Sequence, residues 1–206
     1  MPMPSKDQVL GDFYYREAKR GGYRSRSALK LKEIAEKYRI FRKGQVVIDL
    51  GAAPGGWLQV EREMVGPEGL VIGVDLSPIT PLPFDNVRLI RGDIAAPDII
   101  EQVCKLAGGK ADVVVSDLAP KFSGIHDLDH VRQLDLSTMA LAVSSRVMRA
   151  GGSMIMKVLM GSEFKRFFSS VEPHFGSVRI HKPKASRESS SEVYLVCMGF
   201  RGKSSS

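Results

Sequence analysis

The stretch Val46-Val47-Ile48-Asp49-Leu50-Gly51-Ala52-Ala53-Pro54-Gly55-Gly56-Trp57 decides how the chain is read. Three β-branched apolar residues form a short strand. Asp49 ends it, and the glycines turn the chain tightly into a helix over 58–65. Outward from this point, apolar runs alternate with helical patterns. Further strands are expected at 70–74, 87–90, 111–115, 153–156, 177–180 and 193–198, and helices at 8–20, 99–106, 134–148 and 164–168. Another helix begins near Ser25, with Leu31, Ile34, Ala35 and Tyr38 on one face. Ser25 or Ser27 is placed to cap it. Gly108-Gly109 and Gly151-Gly152 read as helix stops. Apolar strands without alternation, separated by helices, are the pattern of an α/β fold whose parallel sheet is buried on both faces. Only twelve residues separate Ile180 from Val193, so the final pair of strands is expected to be antiparallel.

The 206 residues suffice for one domain, and no repeat or linker divides them. Residues 1–206 are therefore read as a single domain, with 1–24 a basic N-terminal extension and 202–206 a disordered tail. No apolar run approaches the ~20 residues of a membrane span. Met1 to Gln8 lacks the apolar core of a secretory signal, so a cytoplasmic location is expected. Cys104 and Cys197 belong to no CxxC pair and are expected as buried, reduced thiols. His126 and His130 are four apart, but Asp127 and Asp129 around them read as loop residues, and no metal site is expected.

The net charge of +7 favours a polyanionic partner. Lys19, Arg20, Arg24, Arg26, Lys30 and Lys32 crowd one stretch, interleaved with Tyr14, Tyr15 and Tyr23. Such cations meet phosphates and such rings stack on bases, so this stretch is read as a nucleic-acid surface. Lys182, Lys184 and Arg187 add a second cluster, in a Ser- and Lys-rich segment (182–191) expected to be a mobile loop on the substrate side. No apolar surface stripe for a second copy is evident, and a monomer is expected.

Ligands of such sheets bind beyond the carboxyl ends of the strands, where the strand order switches. The turn is not the dinucleotide fingerprint G-x-G-x-x-G, because its second glycine would fall at Ala53. Pro54 also removes an amide that a phosphate cradle would use. These features disfavour an NAD-dependent oxidoreductase. Asp75, 20 residues beyond Gly55, ends the second strand, where a carboxylate can accept from both ribose hydroxyls of an adenosine. Asp93, after the third strand, can accept from an adenine amino group. Asp49 can face an ammonium, directly or through water. Asp117 ends the fourth strand. S-adenosyl-L-methionine joins adenosine, a positive charge and an amino acid in one molecule, and is the cofactor expected here.

At this point the sequence resembles the FtsJ/RrmJ family of RNA ribose 2′-O-methyltransferases, from about Asp12 to Met198. The resemblance rests on Arg24-Ser25-Arg26-Ser27-Ala28-Leu29-Lys30-Leu31, on Asp49 to Trp57, on Ser116-Asp117-Leu118-Ala119-Pro120, on Met156-Lys157-Val158 and on Ser191-Glu192-Val193-Tyr194. It implies a Rossmann-like fold with seven strands, mostly parallel, the last one antiparallel. It implies a catalytic tetrad of Lys30, Asp117, Lys157 and Glu192. It also implies cofactor contacts from Gly55, Trp57, Asp75, Asp93 and Asp117. By the same resemblance the substrate is large-subunit (23S) ribosomal RNA, at a uridine of the peptidyl-transferase A-loop, and the partner is the large ribosomal subunit. Lys121 departs from the polar uncharged residue expected after Pro120. Two other readings stand beside this one: a transfer-RNA ribose methyltransferase of the same fold, and a catalytically silent RNA-binding factor in ribosome assembly.

A ribose hydroxyl becomes a good nucleophile only when its proton is removed. Lys157, ending an apolar strand, is the candidate base. Lys30 would lower its proton affinity by repulsion and burial would add to this, whereas Asp117 and Glu192 act in the opposite sense. Lys30 and Glu192 are expected to orient the hydroxyl and its phosphate.

Overall fold

The alternating pattern folds as a seven-stranded sheet in the order β3-β2-β1-β4-β5-β7-β6, in a computed structural model that describes residues 6–187 and 189–202. The strands are β1 (Val46–Leu50), β2 (Leu70–Asp75), β3 (Val87–Arg91), β4 (Ala111–Ser116), β5 (Met148–Leu159), β6 (Phe175–His181) and β7 (Glu192–Phe200). The helices are α1 (Lys6–Arg20), α2 (Ser27–Tyr38), α3 (Gly56–Val65), α4 (Pro97–Leu106), α5 (His126–Val147) and α6 (Phe164–Val171). Strands β1 to β5 are parallel, and β7 runs antiparallel to both β5 and β6. The sheet and its antiparallel end agree with the sequence reading.

Each face of the sheet has its own apolar layer, as strands without alternation require. On one face Leu31 and Ile34 of α2 and Leu58 of α3 pack with Val47, Val71 and Val113. On the other, residues of α4, α5 and α6 pack with Ile48, Ile72 and Val114. β1 lies between β2 and β4, so the chain reverses its direction of winding there. That is the switch point at which a ligand crevice opens.

Four local expectations are corrected. Helix α5 begins at His126, not at Leu134, so Asp127 and Asp129 lie in its first turn rather than in a loop. Gly151-Gly152 does not end a helix before a strand. α5 already stops at Val147, and both glycines lie inside β5, where the pairing with β4 shifts register between Ala111 and Val113. Gly151 has φ of +78°, which other residues rarely adopt, and a Cβ on Gly152 would come within 2.9 Å of the Arg149 carbonyl, so the bulge selects glycine at both positions for different reasons. Neither serine caps α2: its N-cap is Arg26, and the Ser25 and Ser27 hydroxyls lie 2.8 Å from each other. The 182–191 segment is tied down in part, because Lys184 N–H donates to Glu33 Oε2 at 2.9 Å and Ala185 and Ser186 are buried.

Cys197 is buried and its thiol is pushed up by burial, whereas Cys104 is only half-buried; both are free. His130 is buried as part of the structure. Glu163 N–H donates to its Nε2 at 3.1 Å, so Nδ1 carries the proton toward the Leu159 carbonyl, also at 3.1 Å. Among the described residues no group of three or more His, Cys, Asp or Glu could hold a metal ion, and no helix is long and apolar enough to cross a membrane. Residues 1–5 of the expected extension and 203–206 of the expected tail lie outside the described residues.

Candidate active site

A cavity of about 540 Å³ opens beyond the carboxyl ends of β1 to β4, lined by Gly51, Asp75, Asp93, Ile94, Asp117 and Leu118 among others. Three strand-end carboxylates therefore face one space. Lys121 also lines it, so the expected departure from a neutral residue places a cation on its rim. Asp75 holds the turn as well as facing the cavity: its Oδ2 accepts from Ala53 N–H at 2.9 Å and its Oδ1 from Ser77 N–H at 2.7 Å. Each oxygen keeps a second lone pair for a ligand hydroxyl. Asp93 is exposed and accepts from Ala95 N–H at 2.9 Å. The glycines permit this arrangement. Gly51 has φ of +84°, and a Cβ on it would meet Leu118 backbone atoms at 3.1 Å. A carboxylate-rich, partly apolar space of this kind suits an adenosine-bearing cation.

Gly55 and Trp57, expected at the cofactor, do not line this cavity. Trp57 is buried, donates from Nε1 to the Ser27 carbonyl at 2.9 Å, and borders only a much smaller space beside Gly51 and Asp117. Gly55 faces Arg24, whose Nη1 lies 2.8 Å from where a Cβ would be. Asp49 is fully buried on β1, with no partner for either oxygen, and is not among the lining residues.

The four residues of the expected tetrad come together as two pairs around Tyr194. Lys157 Nζ donates to the Asp117 carbonyl at 2.7 Å and lies 3.1 Å from its Oδ1. Tyr194, directly opposite Lys157 in the β5–β7 ladder, donates to the same Oδ1 at 2.9 Å. Lys30, from α2, pairs with Glu192 of β7, and its Nζ is 6.0 Å from the Tyr194 ring centroid. Burial alone would raise the Glu192 carboxyl, but Lys30, Lys157 and the Ser186 hydroxyl outweigh it and hold it below the usual carboxylate range. Burial, reinforced by Asp117 and Glu192, holds the Tyr194 phenol well above its ordinary value, so it remains a donor. Tyr194 is the residue that sequence reasoning passed over. The motif containing it was visible, but only the strand register puts its hydroxyl on Asp117.

Arg24, counted above among phosphate-binding cations, is instead built into the site. Its guanidinium donates to the carbonyls of Pro54 (3.2 Å), Pro81 (2.8 Å) and Thr80. Its own N–H donates to Gln59 Oε1 at 2.8 Å. The start of the Lys30 segment is thereby clamped onto the glycine turn. Tyr23 is likewise engaged, donating to Glu63 at 2.8 Å. Arg24→Ala is expected to weaken cofactor binding about tenfold, since hydrogen bonds from a charged group are worth about 1.5–3 kcal/mol and this one is partly exposed. Calorimetric titration with S-adenosyl-L-methionine checks this, and unchanged affinity would show that the clamp does not shape the turn.

Comparisons with known proteins agree with this geometry. The chain matches the FtsJ-like methyltransferase family over residues 23–200. A protein named ribosomal RNA large subunit methyltransferase E from Methanothrix thermoacetophila is 50% identical over 185 residues, covering 90% of this chain and 71% of that one. A relative of the same name from Methanothermobacter thermautotrophicus is 44% identical, over 93% of this chain and 91% of its own. Among solved structures, one described as a ribosomal RNA methyltransferase from Plasmodium falciparum superposes with a TM-score of 0.77 at 30% identity, covering 88% of this chain and all of that one. Fibrillarin from Aeropyrum pernix shares the fold, with a TM-score of 0.59 at 17% identity over 85% of this chain and 75% of its own. The cofactor expected from the sequence, S-adenosyl-L-methionine, goes with this family, and the carboxylate-lined cavity fits its charge. With the family matched across the strands that carry Asp75, Asp117, Lys157 and Glu192, the chain belongs to the FtsJ-like methyltransferase family.

Proposed function

We propose that this methyltransferase methylates a ribose 2′-hydroxyl of large-subunit ribosomal RNA, at a uridine of the A-loop, during ribosome maturation. The observation that carries the reading is the placement of Lys157. It is buried beside the cavity and held by the Asp117 backbone carbonyl and Oδ1, with the Lys30–Glu192 pair across Tyr194. When bound, S-adenosyl-L-methionine supplies a methyl group on a positively charged sulfur. Asp75 and Asp93 hold the adenosine end. A neutral lysine amine has two N–H groups and one lone pair. The Asp117 carbonyl accepts one N–H and Oδ1 lies 3.1 Å from the nitrogen, which holds the amine in place while its lone pair takes the proton of the 2′-hydroxyl. Tyr194 fixes the Asp117 carboxylate, and Lys30 and Glu192 orient the hydroxyl and its neighbouring phosphate. Exposed cations of the 182–187 segment and the end of α1 engage the RNA backbone. The names of the relatives support a ribosomal rather than a transfer-RNA substrate.

Mapping 2′-O-methyl positions in total RNA with and without the protein tests this. The expected result is the loss of one mark in the A-loop of large-subunit RNA. A mark lost from transfer RNA with ribosomal RNA unchanged would overturn the ribosomal assignment. Unchanged maps would favour a silent assembly factor.

A further inference from the structure

The loop after β4 carries apolar side chains that the fold does not use. Phe122 is 62% exposed and Ile125 is 61% exposed, and neither belongs to an apolar layer of the sheet. Large side chains left in water on a loose loop would be unremarkable. This loop is not loose. Asp129, in the first turn of α5, accepts from Ser123 N–H at 2.7 Å, from Ser123 Oγ at 2.8 Å and from Gly124 N–H at 3.1 Å. Ile125 N–H donates in turn to Ser123 Oγ at 3.2 Å. The chain thus fixes the backbone between Phe122 and Ile125 while leaving their side chains outside.

The exposed groups continue along the helix. Ile125, Leu128 and Val131 are three apart and fall along one stripe at the start of α5, and all are exposed. The stripe was invisible in the sequence because this stretch read as a loop, where a spacing of three carries no meaning. Exposed Met160 lies beyond the end of β5, and its N–H donates to the Ser191 carbonyl at 2.8 Å, next to Glu192. His130 ties that connection back to α5. Exposed apolar side chains held on an ordered backbone in this way mark a contact site.

Its position says what the contact is. Lys121, the residue before Phe122, lines the same cavity as Asp117, and Asp117 holds Lys157. The patch therefore continues the reaction site on the α5 side, opposite α2 and Lys30. A strand whose ribose lies at Lys157 must extend past one of these sides. A ribose can reach the buried Lys157 amine only from a nucleotide pulled out of its helix, which leaves neighbouring bases unstacked. We propose that Phe122 and Ile125 form a stacking platform for an unstacked base of the substrate strand next to the target ribose. Lys121 and exposed Arg132 flank the platform for the adjoining phosphates. The inference rests on RNA being the substrate and adds to it the surface that receives the neighbouring base.

The test uses the full chain carrying Phe122→Ala, Ile125→Ala and both together, with Ile180→Ala, exposed on the edge strand β6, as a control. One readout is 2-aminopurine fluorescence in a single-stranded RNA oligonucleotide. The other is methyl transfer to protein-free large-subunit RNA, with KM and kcat separated. Stacking on an aromatic is worth about 1–3 kcal/mol per base, so the double variant is expected to raise KM about 5- to 100-fold. It should abolish the fluorescence quenching and leave cofactor affinity and thermal stability unchanged. Unchanged KM and quenching would overturn the platform. So would a defect seen only on whole subunits, which would assign the patch to a protein partner, or a change in molecular mass on mutation, which would assign it to a second copy. Failure of the unmodified chain to methylate any RNA would sink the substrate reading instead, while the fluorescence arm would still decide the platform.

Discussion

Lys157→Ala is expected to lower single-turnover methyl transfer to RNA by about 10²- to 10⁴-fold, the range for a lost general base. Cofactor binding should largely survive, because Lys157 does not itself line the cavity that Asp75 and Asp93 share. The side chain is buried, so its removal could also loosen the site. Lys157→Met separates the two effects, since it keeps the length and apolar stem while removing the amine. If either variant transfers methyl within a few-fold of the unmodified chain, Lys157 is not the base. A loss confined to Lys157→Ala would mean that the lysine acts by packing. Single-turnover rates with saturating cofactor distinguish these outcomes.

The second large effect concerns stability. Asp49 on β1 and Glu61 on α3 are both fully buried, and none of their four carboxylate oxygens has a hydrogen-bond partner among the described residues. Burial pushes both carboxyls well above their ordinary range. The charges of Asp117 and Asp75 add to this for Asp49, and the charge of Asp49 adds to it for Glu61. Folding therefore takes up protons at this pair. The associated stability is fully present below the ordinary carboxylate range, near ~4, and is lost as the pH rises through the raised folded value. Glu61→Met fills the same space without a charge to desolvate. It is expected to raise stability at pH 7 by about 1–4 kcal/mol. For a chain of this size each kcal/mol corresponds to about 2–4 °C in Tm. The gain should shrink at pH 5, where the unmodified pair is more fully protonated. Thermal unfolding at the two pH values checks both sign and slope. A lower Tm for Glu61→Met at pH 7 would show that the carboxyl contributes to the fold.

Much of this was legible in the sequence, for physical reasons that differ by element. Runs such as Val47-Ile48 and Val113-Val114-Val115 are buried on both faces, and nothing but a covered sheet accepts them. The short connection from Ile180 to Val193 excluded a crossover helix, and β6 and β7 are antiparallel. The start of α5 was not legible. His126 to Val131 carries two aspartates and an exposed apolar stripe, so its polarity mimics a loop. Gly151-Gly152 misled because the same pair can end a helix or make a bulge, and only the neighbouring strand decides. At the site, the residue types of the tetrad could be read, but their pairing could not. Lys30 and Glu192 are 162 positions apart, and their contact exists only because α2 is docked on the glycine turn. Arg24 shows the same limit. As a letter it is one cation among several; in the fold it holds three backbone carbonyls.

The antiparallel pairing of β5 with β7 has a consequence for how the protein can change. Lys157 stands opposite Tyr194, and Leu159 opposite Glu192, in one uninterrupted ladder. The distance between the amine and the groups around it is thus written into backbone hydrogen bonds. It does not depend on which side chains stand at the exposed positions near Arg187. A shift of one residue would turn Tyr194 and Glu192 to the opposite face, so intermediate, half-working alignments do not exist. The exposed cations Lys184 and Arg187, in contrast, can be exchanged without moving the ladder. The spacing of the Lys157 site is thus fixed by the sheet, apart from the sequence of the exposed residues near Arg187.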